Sequence, residues 1–117
     1  MTRSLLIVDD SRLARTLVRR YAMRACAELA IHEAADAREA LDISAAQEID
    51  IMTIDFNMPG MNGLELARRL RKRHPAARIT LLTANVQAAV RQRAEAAGIG
   101  FLAKPIVAED IAGLIAA

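Results

Sequence analysis

Ile51-Met52-Thr53-Ile54-Asp55-Phe56-Asn57-Met58-Pro59-Gly60-Met61-Asn62-Gly63 is an apolar run that delivers one carboxylate to a Pro/Gly break and then stops. The run from Ile51 to Ile54 does not alternate with polar residues, which fits a short strand covered on both faces. Pro59 and Gly60 call for a turn directly afterwards. A buried strand that ends in an acid at a turn sets Asp55 at a sheet edge, where a ligand can reach it.

Outward from this stretch the pattern repeats. Leu5 to Val8 is a second continuous apolar run, closed by Asp9-Asp10. From Arg12 the period becomes helical: Leu13, Leu17 and Tyr21 share one stripe and Arg12, Arg15 and Arg19 another, predicting an amphipathic helix capped near Ser11. Ala30 to Ala35 is a poorer strand, with His32 and Glu33 in its middle, and suits a place nearer the sheet edge. Asp36 and Glu39 read as a capping box that opens a helix through about Ala46, with Ala40, Leu41 and Ile43 available for burial. Asn62 and Glu65 repeat that pattern, and Leu66, Ala67 and Leu70 form an inward stripe before Pro75 ends the helix. Ile79 to Leu82 is a strand ending in Thr83-Ala84-Asn85, after which Val86, Val90 and Ala94 mark a helix stopped by Gly98. Gly100 to Ala103 is a minimal fifth strand before Lys104-Pro105, and Ala108 to Ala116 a last helix with Glu109 and Asp110 in its first turn. Such alternation of strands and helices implies an α/β fold: a parallel sheet with right-handed crossovers and helices on both faces.

In a parallel sheet the C-terminal ends of all strands share one rim, so Asp9, Asp10, Asp55, Thr83 and Lys104 are expected to converge. Three crowded carboxylates repel one another unless a cation joins them. Oxygen-only ligation suits Mg2+, whereas zinc would want His or Cys, and His32 and His74 fall away from the rim. A carboxylate nucleophile, an ammonium and a hydroxyl beside a metal are the parts needed for phosphoryl transfer onto Asp. No Gly-rich phosphate loop accompanies them, so the donor is expected to be something other than a nucleotide in a standard loop.

At 117 residues, 54% of them hydrophobic and 26% charged, the chain suits one folded domain over residues 1–117 and argues against disorder. A formal net charge of +2 supports no general nucleic-acid footprint. Cys26 stands alone, which excludes an internal disulfide and a thiolate zinc cluster. Neither a signal-peptide core nor a membrane span is legible, so a cytoplasmic protein without membrane insertion is expected, a monomer or weak dimer. The run Arg68, Arg69, Arg71, Lys72, Arg73, His74 reads first as a solvated basic face and second as a site for an acidic partner.

Asp9-Asp10 after the first strand, Asp55 with Met58-Pro59-Gly60-Met61-Asn62-Gly63 after the third, Thr83-Ala84 after the fourth and Lys104-Pro105 after the fifth form an ordered set. With it the chain resembles, over essentially its whole length, the receiver domain of two-component response regulators, and most of all single-domain, chemotaxis-regulator-like members. The resemblance implies a flavodoxin-like, doubly wound five-stranded parallel sheet of order 2-1-3-4-5 with five helices. It implies that Asp55 accepts a phosphoryl group from a histidine kinase or histidine phosphotransfer protein. Asp10 would ligate Mg2+ directly, Asp9 through water, Asn57 through its backbone carbonyl, and Asp55 would complete the metal site. Lys104 would pair with phosphate oxygens across a cis Lys104-Pro105 bond, and Thr83 would bond the phosphoryl group and couple to Phe101 as a switch. Asn57 and Asn85 stand where the family tunes dephosphorylation, and amides there cannot act as general bases.

Since no further segment follows the last helix in this sequence, the expected function is a stand-alone phosphorelay receiver whose output is binding of a target protein or phosphatase. It is expected to be a phospho-acceptor rather than an enzyme acting on other molecules. The alternative is a receiver-like scaffold that binds its partner independently of phosphorylation. A phosphatase acting on other molecules lacks any recognisable substrate pocket in sequence.

Overall fold

Each apolar run becomes a strand, and each change of period a helix. The structure, a computed structural model, describes residues 2–84 and 87–116. In chain order the elements are β1 (Ser4–Val8), α1 (Arg12–Ala25), β2 (Ala30–Ala34), α2 (Ala37–Ala46), β3 (Ile51–Asp55), α3 (Gly63–Arg73), β4 (Arg78–Thr83), α4 (Ala88–Ala96), β5 (Gly100–Ala103) and α5 (Ala108–Ala116). The strands form one sheet in the order β2-β1-β3-β4-β5, with every neighbouring pair parallel. The flavodoxin-like order implied by the resemblance is thus the observed one, and the weak strand β2 does lie at an edge. The chain steps from β1 outward to β2 and then back across to β3, so the crevice of this sheet opens between the C-terminal ends of β1 and β3.

Strand periodicity divides the interior in two. Leu6, Val8, Met52, Ile54, Ile79 and Leu81 face a core shared with Ala40 of α2, Leu66 and Leu70 of α3 and Ala94 of α4. Leu5, Ile7, Ile51 and Leu82 face a second core with Val18 and Ala22 of α1 and Ile111 and Ile115 of α5. Because both faces are covered, β1 and β3 carry no polar alternation, which is why they read as predominantly apolar runs, with Thr53 of β3 buried as well.

The caps show where local signals hold and where they shift. Asp36 accepts the Glu39 N–H at 2.8 Å, while the Glu39 carboxylate accepts from Ala35, one residue before the cap, at 2.7 Å. At α3 only half of the box forms: Asn62 accepts the Glu65 N–H at 2.9 Å, but the Glu65 carboxylate turns to Arg69. Ser11 caps α1 by accepting from Ala14. Gly98, at φ +72, ends the segment after α4, and Val86, read as the start of that helix, lies outside the described residues.

Two sequence readings need correction. The buried stripe of α1 is Val18 and Ala22, with Tyr21 half-buried; Leu13 is 81% and Leu17 41% exposed. Contact with α5 selects the buried stripe, and Leu17 is left in a groove beside Asp9 and Lys104. The basic run of α3 is not one solvated face either. Arg71 donates to the carbonyls of Pro75, Ala77 and Gly98, and Arg73 to Leu41 O and Ser44 Oγ. His74 is buried, 2.9 Å from the Ser44 carbonyl. These bonds tie the C-terminal end of α3 to α2, to the loop before β4 and to the turn after α4. No helix among the described residues is long and apolar enough to cross a membrane.

Candidate functional site

Four strand ends build the rim, those of β1, β3, β4 and β5. β1 ends at Val8, and Asp9 follows with its N–H donating to Ala34 O at 3.1 Å and its Oδ1 accepting from Ser11 N–H at 2.9 Å. Those bonds keep Asp9 buried while Asp10, next in the chain, is exposed. β3 delivers Asp55, also buried; Phe56 N–H then donates to Leu82 O and Gly63 N–H to Phe56 O, each at 2.9 Å. The loop between folds back so closely that the first residue of α3, Gly63, lies against the backbone of Asp55 and Phe56. A side chain at position 63 would strike both, so the glycine is required by close approach.

One carboxylate oxygen from each of Asp9, Asp10 and Asp55 lies within 4.8 Å of the others. From β5 the chain turns at a cis Lys104-Pro105 bond, and Lys104 Nζ reaches Asp55 Oδ1 at 3.1 Å and Asp9 Oδ2 at 3.4 Å. Thr83, at the end of β4, is fully buried, and its carbonyl accepts the Lys104 N–H at 2.8 Å. Phe101 in β5 is half-buried against the α3/α4 core, with the Arg91 guanidinium carbon 5.8 Å from its ring centre. Asn57 has an exposed side chain and a backbone hydrogen bond to Asp55; Asn85 lies outside the described residues.

Burial raises the Asp55 pKa above the usual carboxylate value, and the Asp9 charge adds to this; Lys104 and the Asn57 backbone oppose it without cancelling it. For Lys104, burial works against the ammonium, but hydrogen bonds and charge from Asp55 and Asp9 outweigh it and the pKa rises. With its three acids ionised, this rim carries three negative charges against one ammonium. An all-oxygen donor set with excess negative charge fits a hard divalent cation.

Sequence reasoning missed a group beside this rim. Arg15 donates from Nε to Glu33 Oε1 at 3.0 Å and from Nη1 to the Asp9 carbonyl at 2.7 Å, while Arg19 Nε donates to Glu33 Oε2 at 2.7 Å. In the sequence pattern Arg15 and Arg19, one turn apart, simply share a stripe with Arg12. The available signal was Glu33, an acid in mid-strand that needs a cation when its strand packs. Burial alone would raise the Glu33 pKa, but the bonds from Arg19 and Arg15 bring it below 4.5. Its stabilising contribution is therefore complete above that ordinary value and is lost as pH falls through the lower folded value. Glu33→Gln is expected to cost roughly 1 kcal/mol at neutral pH, discounted for partial exposure. In urea unfolding at stepped pH, the gap between parent and variant should be constant at neutral pH and should close in acid.

A family model for the response regulator receiver domain matches residues 5–116. The cyclic di-GMP phosphodiesterase response regulator RpfG of Xanthomonas campestris is 41% identical over 106 residues, covering 88% of this chain and 28% of that protein. The sensor protein EvgS of Escherichia coli is 36% identical over 104 residues, 88% of this chain and 8% of that one. The chain thus spans less than a third of these curated relatives. Among solved structures, the chemotaxis response regulator CheY4 of Vibrio cholerae is 31% identical with a TM-score of 0.83, covering 95% of this chain and 93% of that one. A response regulator of Burkholderia pseudomallei with a phosphorylated aspartic acid, calcium ion and citrate is 28% identical with a TM-score of 0.87, covering 97% and 66%.

Proposed function

The chain belongs to the response regulator receiver family, a family of two-component signalling domains, and we propose that residues 1–117 act as one phosphorylation-controlled receiver with Asp55 as the acceptor. The observation that carries this reading is the Asp55 carboxylate at the crevice between β1 and β3, 3.1 Å from Lys104 and clustered with Asp9 and Asp10. The donor is a phosphohistidine on a histidine kinase or histidine phosphotransfer protein.

In the transfer an ionised Asp55 oxygen forms the bond to phosphorus as the phosphorus–nitrogen bond of the phosphohistidine breaks, and the imidazole nitrogen keeps that electron pair. Burial makes the Asp55 oxygen more basic and so a better nucleophile. Lys104, already shared between two carboxylates, balances the charge of the phosphoryl oxygens, and the Thr83 hydroxyl bonds to them. Asp10, Asp55 and the Asn57 carbonyl, with Asp9 through water, would hold Mg2+, which would supply positive charge to offset that of the phosphoryl oxygens. Withdrawal of Thr83 toward the new charge alters the packing of Phe101 beneath Arg91, changing the surface of α4, β5 and α5 that a target protein or phosphatase reads. With amides at Asn57 and Asn85, neither position supplies a general base for hydrolysis.

Leu17 lines an apolar groove with Val18, Leu82, Pro105 and Ile106, and this groove ends at Asp9 and Lys104. Together with exposed Leu13 it offers the phosphohistidine-bearing protein a footing continuous with the acceptor site. Leu17→Asp is expected to slow transfer from a kinase domain about tenfold or more while leaving uptake from a small acyl phosphate within twofold. Equal loss with both donors would argue against docking there.

The test of the whole reading is incubation with Mg2+ and acetyl phosphate, followed by mass spectrometry of the intact protein. One added phosphoryl group, absent when Mg2+ is chelated, is the expected result. No added group would refute the reading.

A further inference from the structure

We propose that Arg15 is a positioning residue for the acidic rim: its guanidinium, oriented by Glu33, holds the peptide plane that joins Asp9 to Asp10. This inference rests on the receiver reading, in which those two acids serve a divalent cation. The Asp9 carbonyl and the Asp10 N–H belong to one rigid amide, so the bond that fixes the carbonyl oxygen also fixes the direction in which Asp10 leaves it. Arg15 Nη1 makes that bond at 2.7 Å.

The donor is itself held in place. Arg15 Nε lies 3.0 Å from Glu33 Oε1, and a planar guanidinium that satisfies both acceptors has one orientation. Arg19 occupies the other oxygen of Glu33 at 2.7 Å, so the carboxylate is also held. The Arg15 side chain is only 15% exposed. The remaining Asp9 contacts, N–H to Ala34 O, Oδ1 to Ser11 N–H and Oδ2 to Lys104, restrain that residue but leave the plane beyond it to Arg15. A chain of contacts therefore runs from Glu33 in the edge strand β2, through α1, into the link between the two acids.

The sign of the effect separates positioning from electrostatics. Deleting a cation near a cation site strengthens binding if charge alone matters. If Arg15 sets geometry, deleting it weakens binding even though a repulsive charge has gone. Arg15→Lys keeps the charge and loses the fork, so it should weaken binding as well.

The experiment titrates the full chain with Mn2+, following the free ion by electron paramagnetic resonance, and measures the Mg2+ dependence of phosphoryl uptake from acetyl phosphate. Arg15→Ala and Arg15→Lys are expected to weaken Mn2+ binding about tenfold, with uptake at saturating Mg2+ within about twofold of the parent. Glu33→Gln should weaken binding severalfold, and Arg19→Ala, which removes a bond to Glu33 and leaves the Arg15 bond to the Asp9 carbonyl, should keep it within about twofold. Unchanged or tighter binding in Arg15→Ala, or a loss in Arg19→Ala as large as that in Arg15→Ala, overturns the proposal. If thermal unfolding shows Arg15→Ala to be unfolded, Arg15→Lys and Glu33→Gln decide, and parent-like affinity in both overturns it. A parent that neither binds Mn2+ nor takes up phosphate refutes the receiver reading and this inference with it. A parent that does both, with indifferent Arg15 variants, refutes the inference alone.

Discussion

Asp55→Asn is expected to abolish phosphoryl uptake while leaving the fold in place. The amide keeps the shape of the side chain but supplies no anionic oxygen to attack phosphorus, and no neighbouring acid stands at the end of β3 to replace it. Stability should change little, within about 1 kcal/mol, because two effects oppose each other. The bond to Lys104 is weakened, but burial and the Asp9 charge no longer act against an ionised group at position 55. Lys104 retains Asp9 at 3.4 Å. Intact-mass measurement after acetyl phosphate treatment checks the first part and urea unfolding the second. Undiminished phosphorylation would remove Asp55 from its role. If the variant binds and signals like the parent, the phosphorylation-independent scaffold is the correct function.

Gly63→Ala is expected to be among the most destabilising single-atom-scale changes in the molecule. The new methyl would meet Asp55 O and Phe56 Cα, and backbone atoms cannot rotate away as a side chain does. Either α3 lifts, taking Leu64, Leu66, Ala67 and Leu70 from the core, or the end of β3 moves and carries Asp55 with it. The cost should be about 3 kcal/mol or more, a fall in Tm of about 15 °C for a domain of this size. Gly113→Ala is the control: in α5 a methyl there meets nothing within 4 Å, and helix propensity predicts a gain of up to about 1 kcal/mol. A Gly63→Ala variant as stable as the parent would show that the approach of α3 to β3 is looser than described.

The strands were legible because burial on both faces leaves apolar runs, unbroken in Leu5 to Val8, and parallel alternation then forces Asp9, Asp55 and Lys104 onto one rim. Strand order came from the resemblance and not from the residues. What stayed hidden belongs to tertiary contact. Periodicity marks a leucine stripe on α1, but only packing against α5 decides that Val18 and Ala22 go inward. Likewise, nothing in a run of cations distinguishes Arg68, in solvent, from Arg71, bonded to carbonyls as far away as Gly98. Asp9 and Asp10 are the same residue type in adjacent places; the Ser11 and Ala34 bonds make one buried and the other exposed. The Arg15–Glu33 pair is 18 positions apart in sequence and joins separate elements. Gly63 read as part of a turn, while its reason is the backbone it touches.

The sheet that separates the two cores also separates two kinds of change. Leu13, Leu17 and the α1/α5 core lie on one side, while Phe101 packs toward the α3/α4 core on the other. Substitutions on opposite sides share few neighbours, so their effects should be nearly additive, with coupling concentrated at the strand ends. Under the proposed function, the donor a receiver accepts and the target it addresses are then heritable as separate traits. A lineage can retune one by drift on its own side of the sheet, without first surviving the loss of the other.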